Sequence, residues 1–181
     1  LFVDDFSVSG RWYEADHGWG RFSYQEGEYE ILIRNTDSWG YSGVPLEGGL
    51  PRFALEAAMR LVTGTMGLDG LNFGQGDGEH FYNFRVYPAA QQYVLFKVEG
   101  GTWTPLVGWT VSAAINAGAA TNQLRVERDG EQIRLYANGV LLDSLADSSY
   151  LGNQEMSLYG GSWTEAPVAL RYDNVTFSEL P

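Results

Sequence analysis

The densest set of acid–base groups in the sequence is "VERDGE" (126–131), where Glu127, Asp129 and Glu131 alternate. On an unbroken strand, alternate residues project from one face. Three carboxylates so placed suit glycosidic bond cleavage, in which one serves as acid and another as nucleophile or base. Such a strand needs core residues between its carboxylates, and here those positions hold Arg128 and Gly130. Asp-Gly is also a hairpin signal, with Leu124 and Val126 alternating before it and Ile133 and Leu135 after it. The spacing predicts two strands joined by a turn that splays Glu127 and Glu131 apart.

The other usual centres of chemistry are missing. His17 and His80 show no metal-binding spacing, and "GQGDGEH" (74–80) has the glycines of a phosphate loop without its Lys or a following helix. The absence of Cys excludes a thiol nucleophile, a zinc–thiolate site and a disulfide framework. No catalytic residue is assigned, and the chain is read as a non-enzyme.

Binding chemistry is better represented. Trp39 in "DSWGYSG" and Trp163 in "GGSWTEAP" sit among Gly, Ser and Thr, where an indole can stack on a sugar face while polar neighbours meet its hydroxyls. Strand parity adds a second group. In "FYNFRVY", Tyr82, Phe84 and Val86 share one face and Asn83, Arg85 and Tyr87 the other. In "QYVLFKV" the alternation buries Val94, Phe96 and Val98 and turns Tyr93, Leu95 and Lys97 outward, while Asn72 faces outward between Leu71 and Phe73. Asn72, Asn83, Arg85, Tyr93 and Lys97 would form a polar and aromatic platform for a hydroxyl-rich ligand. The alternatives are an ordinary solvated sheet face and tryptophans that plug the ends of the fold. A one-residue slip in register would overturn the platform.

The elements that must position these residues are strands. Period-two patterns run through 28–34, 53–63, 80–87, 92–98, 123–128, 132–138, 155–160 and 168–177, bounded by Gly, Asn, Asp or Pro. "VPLEGGLP" (44–51) and "GQGDGEH" (74–80) read as loops, and "VSAAINAGAA" (111–120) as a loop with one turn. With 23 glycines and no sustained helical repeat, the 181 residues predict one all-β domain, a sandwich or barrel, over 1–181. No apolar run is long enough to span a membrane as a helix. A net charge of -12, with only 11 Lys and Arg scattered along the chain, argues against a nucleic-acid or anionic-membrane partner. The start at Leu1 without Met points to a removed leader or an excised domain.

The order "FVDDFS", "GEYEILI", "FALEAAMRLV", "GLNFG", "FYNFRVYP", "TNQLRVERDGEQIRLYANGVLL" and "VALRYDNVTFSEL" resembles the concanavalin A-like lectin/glucanase superfamily, and within it the laminin-G-like jelly rolls of bacterial secreted and surface proteins. The resemblance spans nearly the whole chain. It implies a jelly-roll sandwich of two curved antiparallel sheets with the first and last strands side by side. It also implies a sheet-edge position for "TWTPLVGWT", which ranks Trp103 and Trp109 below Trp39 and Trp163. Many members hold a structural Ca2+ near the paired termini, which the resemblance extends to Asp4, Asp5 and Asp173. The alternative is that these carboxylates cap strands and accept backbone hydrogen bonds. The expected function is a non-catalytic extracellular or cell-surface module that binds carbohydrate or a protein neighbour. A structural or adhesion subunit capable of self-assembly is the second class and a glycoside hydrolase the third.

Overall fold

The computed structural model describes residues 1–180, including their side chains except at 47–49 and 153–154. The strands, in chain order, are β1 (Phe2–Asp4), β2 (Ala15–His17), β3 (Gly20–Gln25), β4 (Glu28–Ile33), β5 (Trp39–Leu50), β6 (Arg52–Thr63), β7 (Gly67–Asp77), β8 (His80–Tyr87), β9 (Gln92–Glu99), β10 (Thr102–Val111), β11 (Asn122–Asp129), β12 (Gln132–Ala137), β13 (Val140–Ala146), β14 (Asn153–Ser162) and β15 (Val168–Glu179). A single 3-10 turn, Pro88–Ala90, interrupts them between β8 and β9.

They form two antiparallel sheets. Six strands follow the order β10-β9-β8-β7-β14-β5, and nine follow β13-β12-β11-β6-β15-β4-β3-β2 with β1 on β15. This is the expected all-β jelly roll. The termini lie together as expected, with Phe2 opposite Phe177 and Asp4 opposite Val175. Between the sheets the inward residues of both interleave: Tyr29, Ile31, Leu55, Met59, Leu124, Val126, Ile133, Leu135, Leu170 and Tyr172 against Leu71, Phe73, Tyr82, Phe84, Val86 and Leu158.

The outer face of the larger sheet carries charge in alternating sign. Arg171 meets Glu26, Glu28 and Glu30, Arg60 meets Glu28, and Arg125 joins Glu56 to Glu127. Such cross-strand pairs keep an open sheet face soluble and in register.

Three sequence expectations change here. Of the segment 44–51, read as a loop, residues 44–50 are the second half of β5, and β7 runs on to Asp77, so the hairpin turn is Gly78–Glu79. Asp129 pairs with Gln132, so the turn after β11 is Gly130–Glu131, with Gly130 at φ 57 in its first position, as a type II′ turn requires. Arg128 does occupy a core-facing position. It is fully buried over the Tyr82 ring and donates to the carbonyls of Gly130, Asp147 and Ser149. The guanidinium is tolerated because it stands at the end of the strand, where backbone carbonyls are within reach.

Candidate functional site

The six-stranded sheet carries buried side chains on both faces. One packs on the larger sheet; the other is a concave trough lined by rings and a buried polar row. Within that row Arg85 Nε donates to Asn83 Oδ1 at 2.6 Å, Asn83 Nδ2 to Asn72 Oδ1 at 2.7 Å, and Asn72 Nδ2 to Ser157 Oγ at 2.9 Å. Ser157 Oγ donates in turn to Gln75 Oε1 at 3.1 Å. The row crosses β8, β7 and β14 because Asn83 lies opposite Asn72, and Asn72 opposite Ser157. All of these side chains are buried.

Arg85 lies at the centre of the trough. Its neighbour on β7 is Gly70, whose own neighbour on β14 is Tyr159. A Cβ on Gly70 would come within 2.6 Å of the Phe84 carbonyl oxygen and 3.0 Å of Arg85 Cβ. The bare backbone lets the guanidinium cross one strand, so that Nη1 donates to the Tyr159 hydroxyl at 3.0 Å. The rings of Tyr159, Trp103 and Phe96 surround it, with centroids 4.6, 4.7 and 4.9 Å from Cζ. Burial lowers the pKa of Arg85, and it raises that of Tyr159, where the nearby Arg85 opposes it.

Beside Arg85 opens a cleft of about 280 Å³, walled by Trp39, Trp109 and Trp163 and floored by Leu68, Phe96 and Tyr159. Trp39 begins β5 and stacks on Tyr159 and Tyr41, and the Tyr159 ring lies over the opposed Gly161, where an added Cβ would come within 3.0 Å of its hydroxyl. Trp163 follows β14 directly. Its carbonyl accepts from Asp37 N, and Ser162 N donates to Ser38 O, so the loop before β5 is tied to the end of β14. Trp109 arrives from the other edge of the sheet. Register shifts after Pro105 and Val107 bend β10, and Trp109 stacks on Trp163 at 6.0 Å and 22°. These three indoles are 44%, 36% and 39% exposed for Trp39, Trp109 and Trp163, so their faces are open to a ligand. The cleft sits at the small end of ligand pockets, which run from about 300 to 1,000 Å³.

Of the residues expected at a site, the cleft brings together Trp39, Trp163 and Arg85, with Asn83 and Asn72 sealed beneath as the row that holds Arg85. Tyr93 and Lys97 are on the opposite face, which corrects the parity read for β9. They pair with Val86 and Tyr82, both core residues. Tyr93 is buried and its hydroxyl donates to Leu142 O, while Lys97 reaches Ser149 Oγ and Glu99. Trp109, Trp103 and Tyr159 were underrated or missed. The signal available for Trp103 and Trp109 was only their Gly- and Thr-rich surroundings, since the strand bends that aim them leave no periodicity.

Each terminal carboxylate has local hydrogen-bond partners. Asp4 is buried, and its oxygens accept from Phe6 N, Trp12 Nε1 and Arg11 Nη1. Three donors, one of them a guanidinium, take up most of the lone-pair sites of this carboxylate. Asp5 accepts from Ser7, and Asp173 from Asn174 at a bulge in β15. Burial raises the Asp173 pKa, Glu28 and Asp5 adding to the rise, and hydrogen bonds from Ser7 lower that of Asp5. Among the described residues no three His, Asp or Glu come together round a metal, and no helix is long and apolar enough to cross a membrane.

No family model matches the sequence, and neither does any curated protein. Solved structures do match the fold. The chain is similar to the carbohydrate-binding module CBM66 of Bacillus subtilis, with a TM-score of 0.71 at 18% identity over 93% of this chain and 96% of that one. It is similar to a Bacillus subtilis protein with a galectin-like fold, with a TM-score of 0.74 at 12% identity over 99% and 95%. A Bacillus licheniformis beta-glucanase gives a TM-score of 0.71 at 13% identity over 99% and 98%. At these identities the likeness is one of architecture, and the chain has the concanavalin A-like jelly-roll fold.

Proposed function

We propose that the chain is a non-catalytic carbohydrate-binding module that holds a sugar in the concave cleft, with Trp39 and the Trp109–Trp163 pair as its walls. The observation that carries this is the cleft itself: three part-exposed indoles round a pocket of about 280 Å³, room for little more than a sugar ring. Sugar rings present an apolar C–H face to an indole, and their hydroxyls suit the polar groups of Asp37 and Ser38 at the rim. The CBM66 module and the galectin-like protein share the fold, which supports the reading.

A hydrolase is disfavoured on geometry. Glycoside cleavage needs two carboxyl groups about 5 to 9.5 Å apart across the scissile bond. The cleft lining holds one carboxyl, Asp37; Glu155, which faces the trough from β14 beside Ser157, lies outside that lining, and the trough-facing residues of β8 are Phe81, Asn83, Arg85 and Tyr87. Glu127 lies on the far sheet, held by Arg125 and Tyr136. Assembly through strand addition is disfavoured at β10, an edge blunted by Pro105 and two register shifts. We place the module outside the cell or at its surface, where polymeric glycans are met.

The test is affinity electrophoresis and calorimetry against a panel of soluble polysaccharides, with W39A and W163A as controls. At least one polysaccharide should retard the wild-type chain and neither variant. A folded wild-type chain retarded by none of the panel removes the reading.

A further inference from the structure

The chain holds 11 Lys and Arg against 23 Asp and Glu. Among the described residues, every Lys and Arg is ion-paired with a carboxylate except Arg85 and Arg128. Arg128 is buried away from the trough and bonded to three backbone carbonyls. Arg85 is different. It has only two neutral partners, the Asn83 amide oxygen through Nε and the Tyr159 hydroxyl through Nη1. Its Nη2 has no hydrogen-bond partner among the described residues and is not sealed off, while Arg85 itself lines the cleft.

A guanidinium taken from water without a counter-charge is costly, and contact with aromatic faces offsets only part of that cost. In a chain with twice as many acids as bases, leaving the one cleft-facing cation unpaired is the opposite of what composition would give by chance. Burial lowers the pKa of Arg85, with the nearby Tyr159 opposing the shift. An anion delivered to Nη2 would supply the missing partner and form a charge-assisted hydrogen bond in a poorly hydrated site. The net charge of -12 does not prevent this. Repulsion from exposed carboxylates is screened beyond about 8 Å at physiological ionic strength, whereas a contact at the cleft floor is screened far less.

Resting on the carbohydrate reading above, we infer that the cleft selects an acidic sugar, a uronate or other sugar carboxylic acid, whose carboxylate meets Arg85 Nη2 while its ring lies between Trp39 and Trp163. The orientation follows from charge. Asp37 at the mouth repels the carboxylate and accepts sugar hydroxyls, so the acid end enters first.

The test compares matched acidic and neutral ligands by calorimetry and tryptophan fluorescence: galacturonate against galactose oligomers, glucuronate-containing against glucose oligomers, and sialyllactose against lactose. At least one acidic member should bind about tenfold or more tighter than its neutral partner. In R85M the acidic ligand should fall to the affinity of the neutral one, with R85K keeping part of the preference. The melting curve of each variant establishes that it is folded, and if R85M does not fold, N83D takes its place by giving Arg85 an internal carboxylate that cancels the preference. Equal binding of both members, tighter binding of the neutral one, or an acidic preference that survives R85M overturns this inference and leaves the carbohydrate reading standing. Failure of every ligand, acidic and neutral, removes both.

Discussion

Asn83 Nδ2 donates to Asn72 Oδ1 at 2.7 Å across β8 and β7, and both amides are fully buried. The bond is one link in a chain of single-partner contacts from Arg85 to Gln75, so each amide has its orientation set by the next. This is how a concave sheet with no carboxylate in the row holds a guanidinium in place. The direction is polar throughout: Arg85 gives to the Asn83 oxygen, which frees the Asn83 nitrogen to give to Asn72.

Removing the central amide tests that chain. N83A leaves Arg85 Nε and Asn72 Oδ1 without partners in a buried site, at about 1–3 kcal/mol for each group. Urea denaturation should show a loss of about 2–4 kcal/mol, with sugar affinity falling as Arg85 loses its orientation. A loss below about 0.5 kcal/mol would mean that water replaces the amide and the row is not a rigid support.

The two β10 tryptophans should separate binding from stability. Trp109 is 36% exposed and stacks only on Trp163 among the aromatic rings, so W109A is expected to weaken sugar binding about tenfold with little change in melting. Trp103 covers Arg85 and touches Trp39, Phe81, Phe96 and Tyr159. W103A should therefore cost about 3 kcal/mol or more of stability. Calorimetry and chemical denaturation on both variants check this, and the reverse pattern would place the ligand over Trp103 instead.

Most of the strands were legible because the larger sheet is buried on one side only, so its alternation is clean: β11 and β12 show it residue by residue. Tyr93 and Lys97 were misread for the converse reason. β9 has apolar residues on both faces, since the core covers one and Phe96 and Val98 meet the ring-lined trough on the other, and a two-sided strand carries no parity signal. Lys97 completes the deception, its stem lying on the inner face while Nζ escapes to Glu99. β5 and β10 were obscured by Gly and Pro, which weaken strand propensity but are tolerated at the sheet edges these strands occupy. Trp39 and Trp163 could be picked from their surroundings. That they converge with Trp109 on Arg85 depends on the loops before β5 and after β14 and on two register shifts in β10, which no local pattern encodes.

The alternating carboxylates that first suggested catalysis should be dispensable for binding. Glu127 accepts from Arg125 at 2.8 Å and from the Tyr136 hydroxyl at 3.0 Å on the outer face of the larger sheet. E127Q weakens a part-exposed network, and the expected cost is about 1 kcal/mol or less in denaturation. Sugar affinity should not change. A drop in affinity with the fold intact would move the site to the other sheet.

Asp69 gives the fold a pH dependence of unusual sign. It lies on β7 opposite Val86 and Gly160, facing the core, fully buried and with no hydrogen-bond partner on either oxygen among the described residues. Burial pushes its pKa up to about 7, from an ordinary value of 3.8. A carboxyl whose pKa is raised by folding binds its proton more tightly in the native state than in the unfolded chain. Its contribution is therefore most favourable below the unfolded value and declines as the pH rises from about 4 to 7, after which it is flat. D69N removes the titration while keeping the shape. Its stability relative to wild type should rise steadily between pH 4 and 7 and level off above, reaching about 2 kcal/mol at pH 8. The full shift would give roughly 4 kcal/mol, but the amide also remains without a partner. Denaturant midpoints of both proteins across this range decide it: a difference that does not vary with pH would mean that Asp69 is already ionised in the fold, with a counter-charge or water reaching it.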